Sequence, residues 1–297
     1  MSCPFCNYIE HKTSYLPNTI FNGKKFDYFT CLNCKLIYIS PIPNDDDFIK
    51  MYPPTYQNGV DTTILKNQYK KLPGLRFNYG YQFDLIKKYL PNGKILDYGC
   101  GNANFIVNAN SQGFNIVGAE YNKEHIEFLK KSLPNEFYLI DEILNGEIGG
   151  FDIIRLSNVL EHLPNPIETI KILITKLNKN GILLIEGPME NNCNFAFLTR
   201  KLYFSIRKKM NKNWKVTHAP THIFFSNRKN QRSFFKQFEI EELHFNIDEA
   251  EWPYPQSIKN AYGIGEKTKA IIAKISILLS SLFKNQGNIF IYVGKKQ

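Results

Sequence analysis

From Lys94 onward the apolar residues fall into short continuous runs separated by stretches of helical periodicity. Lys94-Ile95-Leu96-Asp97-Tyr98 reads as a buried strand, and Ala103 to Gln112 as a helix closed by Gly113. Ile116 to Tyr121 predicts a second strand and Lys123 to Ser132 a second helix. Phe137 to Ile140 and Phe151 to Ser157 predict the third and fourth strands. A helix is expected from about Pro166 to Lys179, stopped by Gly181, before a fifth strand from Ile182 to Glu186. Phe238 to Phe245 alternates as a strand does, and Asn288 to Val293 forms the last. Continuous apolar strands alternating with helices predict an α/β fold with a parallel sheet covered on both faces. Upstream, a helix is predicted from about Arg76 to Leu90, stopped by Pro91-Asn92-Gly93. Residues 1 to about 43 are short apolar pieces between cysteine pairs, ending at Pro41-Ile42-Pro43.

The first strand of this series runs into Asp97-Tyr98-Gly99-Cys100-Gly101-Asn102-Ala103, where a helix begins. Glycines at 99 and 101 allow a sharp turn and a close approach by a ligand. The following helix points its free N–H groups at that ligand. Glu120 lies 19 residues beyond Gly101 at the end of the second strand, where a carboxylate can accept from both ribose hydroxyls of an adenosine ligand. A dinucleotide fingerprint would place a third glycine at position 104, which is Asn104, so NAD is disfavoured.

Ile95-Leu96-Asp97-Tyr98-Gly99-Cys100-Gly101 resembles the first motif of the class I S-adenosylmethionine-dependent methyltransferases. The resemblance implies a Rossmann-like sheet of seven strands with the last one antiparallel. It implies cofactor binding by the turn residues Asp97, Gly99, Cys100 and Gly101, with Glu120 and Tyr121 at the ribose. Asp141, after the third strand, matches the position that contacts the adenine amino group. The segment Ser157-Asn158-Val159-Leu160-Glu161-His162-Leu163 resembles the one that lines the methionine end of the cofactor, so Ser157 and Asn158 join the set. Many members carry a third glycine where this chain has Ala103.

Cys3-Pro4-Phe5-Cys6 and Cys31-Leu32-Asn33-Cys34 are two Cys-x₂-Cys pairs separated by 24 residues. Such pairs form turns whose thiolates converge on the tetrahedral geometry Zn²⁺ prefers. With Cys3, Cys6, Cys31 and Cys34 filling all four positions, the expected role is structural. In so small a module the metal would supply most of the folding energy. Two such pairs followed by Tyr52 and Tyr56 resemble the bacterial sugar C-methyltransferases. A group of ribosomal RNA guanine methyltransferases also carries an amino-terminal zinc finger. Residues 1–43 are therefore read as a zinc-binding module, 44–92 as a linker and helical cap, and 93–297 as the methyltransferase domain.

The net charge of +10 is unevenly spread. From Asn191 to Phe238 there is no acid, but there are eleven basic residues: Arg200, Lys201, Arg207, Lys208, Lys209, Lys212, Lys215, Arg228, Lys229, Arg232 and Lys236. This stretch, about 191–237, is expected to form a basic lid at the carboxyl ends of the strands, drawing an anionic acceptor. A nucleotide-linked or lipid-linked sugar, or an acidic glycan, fits that charge. RNA is the alternative acceptor, and a cofactor-binding scaffold without turnover is the second alternative. Methyl transfer to a hydroxyl or a carbon acid needs a base. His222, in Thr221-His222-Ile223-Phe224-Phe225-Ser226, fits a position where similar small-molecule methyltransferases show a histidine among aromatics. His162 and His218 are further candidates, and Tyr52 and Tyr56 are candidates to close over the cofactor, with plain packing as the alternative. The amino terminus shows no basic segment leading into an apolar run, so a cytoplasmic protein is expected. The segment Thr268 to Phe283 is amphipathic. It is expected to pack on the core, with docking to a membrane surface or a second subunit as the alternatives.

Overall fold

Four short strands open the chain: β1 (His11–Thr13), β2 (Thr19–Phe21), β3 (Lys24–Cys31) and β4 (Ile37–Ser40). β3 is the longest and pairs antiparallel with each of the others. The computed structural model describes residues 2–52, 79–211, 214, 216–250, 258–259, 261–283 and 285–297. A helix α1 (Asp45–Met51) follows β4. Its amino end is closed by a reciprocal pair: Asp47 N donates to the Asn44 side chain, and Asn44 N donates to the Asp47 carboxylate, both at 3.1 Å.

The large sheet begins after α2 (Tyr79–Tyr89). In chain order come β5 (Lys94–Tyr98), α3 (Asn104–Ser111), β6 (Asn115–Glu120), α4 (Lys123–Ser132), β7 (Phe137–Leu139), α5 (Ile140–Asn145) and β8 (Phe151–Ser157). Next are α6 (Pro166–Lys176), β9 (Leu177–Pro188), α7 (Phe195–Met210), β10 (Phe224–Phe225) and α8 (Arg228–Phe235). The chain closes with β11 (Ile240–Asp248), α9 (Gly263–Leu282) and β12 (Ile289–Lys296). Seven strands lie in the order β11-β12-β9-β8-β5-β6-β7. β5 to β9 run parallel, and β12 runs antiparallel to both β9 and β11, giving the seven-stranded sheet with its reversed last strand.

Alternate residues of each central strand enter different cores. Ile95, Ile116, Ile153, Ile182 and Ile291 pack on the face covered by α2 and α3, where Phe83 stacks on Phe105 at 4.7 Å. Leu96, Val117, Leu156, Leu183 and Phe290 point to the opposite face, whose core is continuous with Phe5, Phe26 and Tyr28 of the amino-terminal strands. The small sheet and the large one thus share one hydrophobic interior.

The helix expected to run to Lys179 ends at Lys176, and β9 starts at Leu177. Leu177 pairs with Phe151, and Asn180 takes a left-handed conformation (φ 64°) that a continuing helix would not permit. The carboxy-terminal helix α9 packs on the rest of the protein through a narrow face: Ala270, Ala273 and Ser276 are buried and Ile272, Ile277 and Leu279 half-buried, while Ile264, Ile271, Leu278 and Leu282 are exposed. Among the described residues, no helix is long and apolar enough to cross a membrane.

Candidate active site and cysteine cluster

A cleft of about 1360 Å³ lies beyond the carboxyl ends of β5, β6, β8 and β9, and Tyr28, Phe48 and Tyr52 from the amino-terminal region also line it. That volume exceeds what a single drug-sized ligand requires, leaving room for a donor and an acceptor together. At one end, Gly99 (φ 75°) and Gly101 (φ 49°) take conformations that favour glycine. A Cβ on Gly99 would lie 2.4 Å from the Val159 side chain, so the turn admits no other residue there. The amides of Gly99 and Cys100 both donate to the Ala119 carbonyl, at 2.8 and 2.9 Å, tying the turn to the end of β6.

Glu120 stands where the sequence places it. One carboxylate oxygen accepts from Gly101 N at 2.9 Å and the other from Tyr121 N at 2.8 Å, which fixes its orientation. Gly99, Glu120, Tyr121, Asp141 and Asn158 line the cleft, whereas Asp97, Cys100, Gly101 and Ser157 are not part of its lining, Asp97 and Cys100 being buried. The group fits an adenosyl ligand: an oriented carboxylate, a glycine turn and open volume meet at one end.

Asp97 is fully buried and bonds Arg155 at 2.5 Å. Arg155 Nε donates to Gln82 at 2.6 Å, Gln82 donates to Glu186 at 2.8 Å, and Ser157 donates to the same Glu186 oxygen at 2.6 Å. The Arg155 guanidinium also lies 3.9 Å from the Phe105 ring centre. Burial pushes the Asp97 carboxyl up, and Arg155 opposes that shift. This network clamps β5, β8, β9 and α2 beneath the turn. Sequence reading missed Arg155, Gln82 and Glu186. The one available signal was a lone arginine inside an apolar strand.

The other end of the cleft gathers residues from distant segments. His162 belongs to a single 3₁₀ turn, Leu160–His162, after β8. Its Nδ1 meets the Thr221 carbonyl at 2.7 Å and the Tyr52 hydroxyl at 2.8 Å. His222 Nδ1 meets the Glu190 carboxylate at 2.8 Å, and the two imidazole rings are 4.9 Å apart. Glu161 is 4% exposed, its Oε1 lies 3.7 Å from His162 Nε2, and its Oε2 has no hydrogen-bond partner among the described residues.

Burial raises the Glu161 carboxyl to about 7. Burial and the neighbouring His222 hold His162 down to about 4. For His222 burial opposes the charge, but the Glu190 and Glu161 carboxylates prevail and raise it to about 9. Glu190, not foreseen, is the last acid before the acid-free stretch, and burial there is outweighed by His222 and Arg200, which hold its carboxyl low.

His218 also lines the cleft. Tyr56 lies outside the described residues. Of the basic stretch, Arg200 reaches the cleft and donates to the Glu190 carbonyl, while Arg207, Lys208 and Lys209 occupy the last turn of α7 outside the cleft lining.

The position of His222 depends on the amino-terminal strands. Ile39 N donates to the Ile223 carbonyl at 2.9 Å, and β10 pairs with β4 through Phe224↔Tyr38 and Phe225↔Ile37. Phe5 packs between Phe224 at 4.6 Å and Phe234 at 4.3 Å.

Two matching turns present the four cysteines to one another. Asn7 N donates to the Cys3 carbonyl at 2.9 Å and Lys35 N to the Cys31 carbonyl at 3.2 Å, and both Asn7 (φ 56°) and Lys35 (φ 66°) are left-handed. All four sulfurs lie within 4.8 Å of one another, with Cys3–Cys34 at 3.5 Å and Cys6–Cys31 at 3.7 Å. Thiolates around Zn²⁺ at about 2.3 Å stand roughly 3.8 Å apart, so the set fits that ion.

Residues 75–243, more than half of the chain, match the methyltransferase domain family, and the chain belongs to it. Over 99 residues it is 31% identical to the ubiquinone biosynthesis O-methyltransferase of Rickettsia typhi, covering 31% of this chain and 39% of that protein. The match thus spans well under half the length of that curated relative. A solved SAM-dependent methyltransferase from Methanosarcina mazei is similar at a TM-score of 0.49 and 17% identity, over 71% of this chain and 96% of that one. One from Archaeoglobus fulgidus has a TM-score of 0.44 and 16% identity, over 74% and 95%.

Proposed function

We propose that this protein transfers the sulfonium methyl group of S-adenosylmethionine to oxygen or carbon of a small acceptor. The observation that carries this reading is a single cleft running from the oriented Glu120 carboxylate to the His162–His222 pair. Glu120 accepts from the ribose hydroxyls, Asp141 meets the adenine, and Asn158 borders the methionine end. Tyr121 flanks the ribose, and Gly99, Cys100 and Gly101 shape the passage of the main chain past the donor. Asp97 and Ser157 act from behind, holding the strand ends that carry these groups.

The donor supplies an electrophilic methyl whose S–C bonding pair stays on sulfur, leaving S-adenosylhomocysteine. The protein's task is to align the acceptor in line and to receive its proton. His162 and His222 face that position, and His222 is the first candidate base.

A structural Zn²⁺ in Cys3, Cys6, Cys31 and Cys34 belongs to the same reading. So does the division into a zinc module (1–43), a linker and cap (44–92) and a methyltransferase domain (93–297) with a basic lid at about 191–237. The acceptor is anionic, such as a nucleotide-linked or lipid-linked sugar or a glycan. Arg200 supports that choice, because it brings positive charge into the cleft beside His222.

Calorimetry should show one S-adenosylmethionine bound per chain. A screen of nucleotide sugars, read as S-adenosylhomocysteine released, should yield turnover whose acceptor KM rises about tenfold in Arg200→Ala, a loss typical of one charge-assisted contact. A chain that binds no S-adenosylmethionine ends the proposal. An unchanged KM in R200A removes the anionic acceptor alone.

A further inference from the structure

The buried carboxylate Glu161 faces two imidazoles whose outer nitrogens are already committed. A carbonyl can only accept, so His162 Nδ1 carries the ring proton toward Thr221 O at 2.7 Å and its Nε2 lone pair is left facing Glu161. The Glu190 carboxylate likewise takes the proton on His222 Nδ1 at 2.8 Å; the second proton that the neighbouring carboxylates favour on this ring sits on Nε2, the atom from which a bound cation would displace it. Histidine ligands of metals are oriented in this way, by a carbonyl or a carboxylate behind the ring. One donor atom from each of Glu161, His162 and His222 lies within 4.8 Å of the others, a span that bonds of about 2 Å on each side nearly close. The Glu161 Oε2 atom is buried and makes no hydrogen bond among the described residues, and a buried carboxylate oxygen left without a hydrogen bond or a bound ion is costly.

We propose that Glu161, His162 and His222 hold a divalent first-row cation at the acceptor end of the cleft, separate from the cysteine cluster. Two imidazoles and a carboxylate suit such an ion and leave positions open on its cleft side. This inference rests on the methyl-transfer reading and deepens it. An acceptor hydroxyl coordinating there would become more acidic and lose its proton to solvent. Its oxygen would then form the new C–O bond as the S–CH₃ bond breaks, with the bonding pair going to sulfur. The favoured acceptor is accordingly a hydroxyl compound, preferably with a neighbouring oxygen that completes a chelate.

The test uses the full chain with its cysteine cluster loaded with zinc. Mn²⁺ is titrated and followed by electron paramagnetic resonance, and Co²⁺ and Zn²⁺ are titrated by calorimetry. The expected result is one additional ion per chain. Binding should weaken at least about tenfold in Glu161→Gln and in His222→Gln, and about 10–100-fold in Glu190→Gln, which removes the group behind His222. S-Adenosylmethionine calorimetry on the same proteins should remain as in the wild type, showing that the variants are folded.

Binding of none of the three ions, or binding undiminished in both E161Q and H222Q, overturns the inference. In that case an intact response to S-adenosylmethionine leaves methyl transfer standing, with an imidazole as the base. Loss of the S-adenosylmethionine response in the wild type would instead remove the methyl-transfer reading, whatever the ions do.

Discussion

The donor end of the cleft takes its shape from one continuous stretch, Tyr98 to Glu120, in which a strand, a glycine turn, a helix and a second strand follow in order. The acceptor end brings together Tyr52, Glu161, His162, Glu190 and His222, which lie up to 170 residues apart in the chain. Main-chain amides orient the functional carboxylate at the first end. At the second, side chains orient one another, and the amino-terminal sheet holds the strand beside His222. The donor end is therefore a local device. The acceptor end exists only while the small sheet is folded against the large one.

The sharpest way to break that contrast is Cys31→Ser. A structural zinc ion contributes on the order of 10 kcal/mol to the folding of a small module, so its loss should release β4 and, with it, β10. Displacement of His222 by about 1 Å is enough to cost about 100-fold in turnover. Calorimetric affinity for S-adenosylmethionine should fall by much less than turnover does, since the glycine turn does not touch the cysteine cluster although the two sheets share a core. Equal loss of turnover and donor binding would show that the two ends are not independent.

Arg155→Met tests the clamp beneath the donor end. It leaves Asp97 charged and buried without its partner, which should cost about 3–5 kcal/mol in urea unfolding. Adding Asp97→Asn should restore a large part of that loss. Failure of the second change to help would show that Arg155 acts through its stacking on Phe105 instead.

Glu120→Gln weakens the charged contacts to the ribose by about 1.5–3 kcal/mol, raising the S-adenosylmethionine Kd roughly 10–100-fold. Divalent-ion binding at the other end should not change. The smallest effect is expected for Ala103→Gly. Ala103 is left-handed (φ 55°) at the start of α3, so glycine relieves about 1–2 kcal/mol of strain against about 0.5–1 kcal/mol of added chain entropy. A gain of about 0.5–1 kcal/mol in stability is expected, measurable by denaturant unfolding.

Much of the donor end was legible because its signals are close in the chain. Gly99, Gly101 and Glu120 are set by a strand–turn–helix–strand unit whose apolar periodicity can be read directly. The four cysteines were legible for the same reason, each pair being a turn with its own spacing. The Arg155 clamp was not, because Arg155, Gln82, Asp97 and Glu186 sit on four different elements whose adjacency arises only in the folded sheet. Glu190 carried no mark beyond its place at the edge of the acid-free stretch. The basic stretch was visible as charge, but which of its residues faces the cleft depends on the direction of α7. That direction admits Arg200 and leaves Arg207, Lys208 and Lys209 outside the lining.

By itself the amino-acid order determined the layered α/β plan, the glycine turn with its distant acid, and the two cysteine knuckles. Each rests on local sterics, periodicity or short loop closure, which operate wherever the segment is placed. Only the tertiary structure decided that β10 would complete the small sheet, that Thr221 and Glu190 would take the outer protons of two imidazoles, and that Glu161 would be left buried beside them. Those outcomes depend on packing between segments remote in the chain, where a hydrogen bond forms or fails over a few tenths of an ångström.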